Sequence, residues 1–141
     1  MDSKELRIGN IVGAATDEKG DNIACKIIEL LGNYCNWTSD LTDPVVGGSS
    51  STSYPFIVGL PLTEQWIRKM GFAEKDLGDE PPYYIFEHKI NKGFDIWNFN
   101  GEHWILDMAD QNLISQDHFK YVHQLQNLYF ALTGEELQVN Q

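Results

Sequence analysis

Tyr83-Tyr84-Ile85-Phe86-Glu87-His88-Lys89-Ile90, Asn91-Lys92-Gly93, Phe94-Asp95-Ile96-Trp97-Asn98-Phe99, Asn100-Gly101 and Glu102-His103-Trp104-Ile105-Leu106-Asp107 read in succession as strand, turn, strand, turn, strand. The runs are rich in aromatic and β-branched residues. Asn91-Lys92-Gly93 places a glycine where a three-residue turn needs positive φ, and Asn-Gly is the strongest short hairpin signal in the chain. A two-residue loop at Asn100-Gly101 sets Phe99 opposite Glu102 and Trp97 opposite Trp104. Because faces alternate along a strand, one face then holds Tyr84, Phe86, His88, Ile90, Phe94, Ile96, Asn98, His103, Ile105 and Asp107. That face has the apolar area of a core side. The other carries Trp97, Phe99 and Trp104 among Glu87, Asp95 and Glu102, large aromatics ringed by charge, which is the composition of a binding patch. The competing reading is a second core layer, with the two tryptophans covered by other elements.

Downstream, Gln116 to Thr133 carries Tyr121, Val122, Leu125, Leu128, Tyr129 and Leu132 at three- and four-residue spacing, the pattern of a helix of five turns. Ser115 is its expected cap and Gly134 its stop, and an acidic tail follows. Gln124, Gln126 and Asn127 lie among its large apolar residues. They read either as polar margins of an amphipathic helix or as a partner-binding face. Upstream, residues 73–82 form a polar connector ending in Pro81-Pro82. Before it, Thr63 caps a short helix of about two turns, Leu62 and Ile67 form a hydrophobic staple, and Gly71 ends it. Tyr54 to Val58 reads as a strand. Residues 39–53, with most of the serines and turn formers, read as a flexible loop. Gly47-Gly48-Ser49-Ser50-Ser51 lacks the Gly-Lys-Ser/Thr ending of a phosphate cradle. Residues 6–38 read as short strands of a small, strongly bent sheet or partial barrel, with a break at Gly9-Asn10 and a turn at Asp17 to Asn22. Ile23 to Leu31 is too short a run for periodicity to separate strand from helix.

The whole is expected to be one α+β domain over residues 1–141: an antiparallel sheet of bent N-terminal strands and a C-terminal meander, a short central helix and a longer C-terminal one. A net charge of −11, from 21 acids against 10 bases, disfavours direct nucleic-acid and anionic-membrane binding. The longest apolar runs are too short to span a bilayer. No secretory leader is recognised, and Cys25 and Cys35 read as buried free thiols, so a cytoplasmic location is expected.

Leu6-Arg7-Ile8-Gly9-Asn10, Leu60-Pro61-Leu62-Thr63-Glu64-Gln65-Trp66 and, above all, Tyr121 to Leu137 (YVHQLQNLYFALTGEEL) resemble a family of uncharacterised small proteins met in gut-bacterial genomes and their mobile elements. The resemblance implies a bacterial, phage- or transposon-linked cytoplasmic protein. It carries no activity.

Chemistry-bearing motifs are sparse. His118 and His123 are five apart, about 140° around a helix, and do not share a face. His88 and His103 share a sheet face on strands that are not neighbours. There is no nucleophile elbow, dinucleotide fingerprint or Walker motif, and acids close in sequence such as Asp107 and Asp110 read as surface charge. No catalytic residue, cofactor or metal is expected. The favoured function is a non-catalytic protein-interaction or accessory protein of a mobile element, with Trp97, Phe99, Trp104, Gln124 and Asn127 as the candidate surface and a protein as partner. The alternatives are an acidic decoy of a DNA-binding host protein, which needs its carboxylates in a phosphate-like row, and an enzyme with a scattered site, which needs converging histidines and acids.

Overall fold

The computed structural model describes the whole chain except residues 42–46, 77, 79–82, 100–102, 109–111 and 140–141, with the backbone alone of 99, 103, 108 and 112. The expected Asn100-Gly101 and Pro81-Pro82 turns and Asp110 lie outside the described residues. The fold is α+β.

The N-terminal strands form a four-stranded antiparallel sheet in sequence order: β1 Ile11–Thr16, β2 Asn22–Leu30, β3 Tyr34–Thr38 and β4 Ser50–Ser53. β2 settles the open reading of Ile23 to Leu31 as strand. The Asp17 carboxylate, accepting from the N–H groups of Lys19 and Asp21, organises the β1–β2 turn. The ladders shift register at Gly13/Ala15 and at Ile27/Glu29, irregularities of the kind that bend and twist a strand. Part of the supposed serine loop is an edge strand. Ser50 to Ser53 pairs with β3, and the Trp37 indole N–H donates to the Thr52 hydroxyl, which donates in turn to the Ala14 carbonyl. Composition concealed it, because an edge strand is held by backbone pairing and needs little apolar side chain. Tyr54–Phe56 is a 3-10 turn with Pro55 inside it, where a strand was expected, and Val58 makes a bridge to Gly13.

The meander lies in a second sheet of five antiparallel strands, again in sequence order: β5 Phe72–Glu74, β6 Tyr83–His88, β7 Phe94–Phe99, β8 His103–Met108 and β9 Asn112–Ser115. Two of these, β5 and β9, were not expected; at three and four residues they are too short to show a period of two.

Helix α1, Glu64–Lys69, follows its signals closely. Thr63 is the cap, accepting from the Trp66 N–H; Arg68 and Lys69 close the last turn; and Gly71 takes φ +90°. Helix α2 is Val122–Thr133, six residues shorter at its start than the periodicity suggested. Ser115 does cap a turn, but a 3-10 turn at Gln116–His118 that ends before Phe119. His118 is therefore not on the helix with His123. Backbone pairing explains the late start: the Leu62 N–H donates to the Lys120 carbonyl and the Val122 N–H to the Leu60 carbonyl, which holds Tyr121 extended. Gly134, in the left-handed region, ends α2 as expected.

The main core joins the inner face of the second sheet (Phe72, Phe86, Phe94, Ile96, Leu106) to Ile67 and Met70 around α1, to Val122, Leu125 and Tyr129 of α2, and to Ile11 of β1. A second cluster holds the first sheet's Val12, Cys25, Ile27 and Cys35 with Leu6, Tyr54 and Ile57. Both cysteines are buried free thiols, and burial pushes both up in pKa. Among the described residues no helix is long and apolar enough to cross a membrane.

Candidate functional site

The expected pairing of Trp97 with Trp104 does not occur. Phe99 pairs with His103, Asn98 with Trp104 and Trp97 with Ile105, so three residues, not two, separate the paired ends of β7 and β8. A one-residue change of register sends every side chain of one strand to the opposite face. The hydrophobic pattern explains the choice: in this register Leu106 lies beside Ile96 and is fully buried, whereas the two-residue loop would turn Leu106 outward and put Asp107 on the core face opposite Phe94. β6 and β7 end on the same faces as expected, although five residues rather than three lie between the ladder's ends at His88 and Phe94. His88 is on the inner face; the side chain of His103 lies outside the described residues.

Trp97 stays on the outer face. Its ladder neighbours are Ile85 and Ile105, and Tyr83 stacks on it with ring centroids 5.3 Å apart and planes 15° from parallel. The backbone of Phe99 pairs with Tyr83 and His103, and its side chain lies outside the described residues. Next to the aromatic pair, Glu87, Asp95 and Asp107 stand opposite one another on three neighbouring strands. Lys75 bridges the first two, at 3.3 Å from Glu87 and 3.1 Å from Asp95, and Lys92 lies 3.6 Å from Glu87. The Asp95 side chain is only 17% exposed. Burial pushes its carboxyl up in pKa, Lys75 pulls it down, and Glu87 and Asp107 push it further up. One oxygen each of Asp95 and Asp107 is buried without a hydrogen-bond partner among the described residues. At the sheet's edge Leu113 is 67% exposed. The helices pack on the other face; on this one Ile85 is buried, and Tyr83, Trp97, Ile105 and the carboxylate row are half-buried.

Trp104 is on the inner face, half-buried against the main core, and its backbone N–H donates to the Gln116 side chain. It borders a groove at the margin of the sheet beside α1. The two helix amides are taken up internally. Gln124 accepts from the Tyr121 N–H at 3.1 Å and so caps α2. Asn127 accepts from Asn10 at 2.8 Å and donates to the Glu5 carbonyl at 2.8 Å. Gln126 is buried and bridges Ile11 and Gly9. Gln126 and Asn127 thus attach α2 to the N-terminal segment, while Gln124 serves the start of its own helix. Sequence reading missed the attachment because the partners of Gln126 and Asn127 lie more than a hundred residues away.

His88 is buried, with Nδ1 accepting from the Asn91 N–H at 3.0 Å, and burial lowers its pKa. His123 is 1% exposed; neither ring nitrogen has a hydrogen-bond partner among the described residues, and burial lowers it to about 4. His118 is exposed. Among the described residues no three His, Cys, Asp or Glu side chains converge to hold a metal ion. Three segments far apart in sequence meet at α2: Asn10 on Asn127, Gly9 on Gln126, and Leu60 on Val122. No family model, curated protein or solved structure matches the chain.

Proposed function

We propose that this chain is a non-catalytic protein-interaction protein, and that it binds its partner with the outer face of the five-stranded sheet. The observation that supports this reading most is the Tyr83–Trp97 stack standing beside the Glu87, Asp95 and Asp107 row on a face that neither helix covers. Aromatic rings supply contact area at small entropic cost, and half-buried carboxylates reward a partner that brings cations to them. The partner's contact segment is then basic, with an aromatic or aliphatic side chain set among lysines or arginines. A cytoplasmic, mobile-element setting belongs to the same reading and rests on the resemblance of the segments around α2.

Selection of random displayed peptides against the purified protein tests it. Basic peptides with an apolar anchor are expected to enrich, to weaken with added salt, and to be lost on Trp97→Ser and on Asp107→Asn. Enrichment that survives both substitutions would place the surface elsewhere. A decoy of a DNA-binding protein draws on the same carboxylate row, one acid per strand, but Lys75 occupies two of its three members. Displacement of the bound peptides by duplex DNA would favour that second reading. An enzyme with a scattered site draws no support from the histidines, since His88 and His123 are packed in the core and His118 faces solvent.

A further inference from the structure

The inner face of the sheet has a feature that the outer-face reading does not use. Where β6, β7 and β8 run past the start of α1, a groove of about 540 Å³ opens, within the range of sites that enclose small molecules. Three aromatic residues border it: Tyr84, half-exposed at 50%; Phe86, buried; and Trp104, half-buried, its ring 6.1 Å from that of Phe86. Thr63, Asn98, which is 4% exposed, and the carboxylates of Glu64 and Glu74 complete the polar part of the lining, which among the described residues includes no lysine or arginine.

The chain itself shows which charge this corner accepts. Arg68 places its guanidinium 5.2 Å from the centroid of the Phe86 ring and bonds Glu64 at 2.7 Å and Glu74 at 3.0 Å. It engages one oxygen of each carboxylate. Two carboxylates against one guanidinium leave the rim with an excess negative charge. Aromatic faces carry negative potential and attract cations within about 6 Å of the ring centre. Anions meet both the rim and a chain of net charge −11. A six-residue helix begins here, and Glu64 in its first turn offsets the positive end of its dipole.

We infer that this groove binds an organic cation: an alkylammonium, arylammonium or guanidinium group on a small apolar body, its charge toward Glu64 and Glu74 and its body against Tyr84 and Trp104. This site is independent of the outer face. The test is a titration of the whole protein, labelled with nitrogen-15, with benzyltrimethylammonium, benzyl alcohol and benzenesulfonate, read at the indole resonances. The cation is expected to shift the Trp104 signal saturably and to leave Trp97 in place, binding about tenfold more tightly than the alcohol, with the sulfonate inert. Tyr84→Ser and Glu74→Gln, both at solvent-facing side chains, are each expected to weaken it severalfold with the amide spectrum otherwise unchanged. Equal response to the alcohol, a shift at Trp97 instead of Trp104, or no saturable shift at millimolar cation would each overturn the assignment.

Discussion

The side chain of Gln126 accepts the backbone N–H of Ile11 at 2.8 Å, joining the middle of α2 to the first residue of β1 across 115 positions of sequence. Its own N–H group donates to the Gly9 carbonyl at 3.1 Å. One buried amide thus serves a donor and an acceptor that the sheet leaves over. Gln126→Leu keeps the bulk and strands both groups, and is expected to cost about 1–3 kcal/mol in urea unfolding. A loss under about 0.5 kcal/mol would mean that the strand start finds other partners.

Leu125 has no exposed surface, whereas Leu132, on the same helix, is 40% exposed. Leu125→Ala should cost about 2–5 kcal/mol and Leu132→Ala less than about 0.5 kcal/mol. The contrast between the two measures whether α2 buries the face described, centred on Val122, Leu125 and Tyr129, and not the full stripe of its apolar residues.

The Tyr121 ring lies flat against Gly59. A Cβ added there would stand 2.6 Å from the Tyr121 Cγ. Gly59→Ala must push the ring away and is expected to lose about 1–3 kcal/mol. The same substitution made in a Tyr121→Ala background should cost clearly less, since the clash is then gone. Additive losses in that double-mutant cycle would locate the strain elsewhere.

His123 makes stability depend on pH. Folded, it stays neutral down to about pH 4; unfolded, it takes a proton near 6.5. Between those values the unfolded chain binds more protons, so stability is complete above about pH 6.5 and falls by about 3 kcal/mol as pH drops to 4. His88, lowered by burial too, acts in the same direction; Asp95, raised by burial, acts in the opposite one. His123→Leu removes the largest of these contributions. Denaturation midpoints measured at intervals over that window should be flatter in the variant than in the parent chain, and an unchanged slope would refute the assignment.

Local signals in the sequence determined the elements whose causes are local. Thr63 and Gly71 bounded α1, Gly134 ended α2, the Asp17 turn joined β1 to β2, and the alternation in β6 and β7 assigned Phe86, Phe94 and Ile96 to the core side, because caps, turns and side-chain parity act within a few residues. Tertiary structure decided whatever depended on a distant partner. The β7–β8 register came from burying Leu106 beside Ile96, and it outweighed the turn signal and parted Trp97 from Trp104. Pairing with Leu60 and Leu62 cut α2 short at its start. Backbone ladders made strands of Ser50–Ser53, Phe72–Glu74 and Asn112–Ser115, where composition shows little. The amides of Gln126 and Asn127, which in the sequence read either as a helix margin or as a binding face, have their hydrogen bonds at Gly9, Asn10 and Ile11. A buried polar group must be satisfied by whatever the fold brings to it, and no local pattern in a sequence says what that will be.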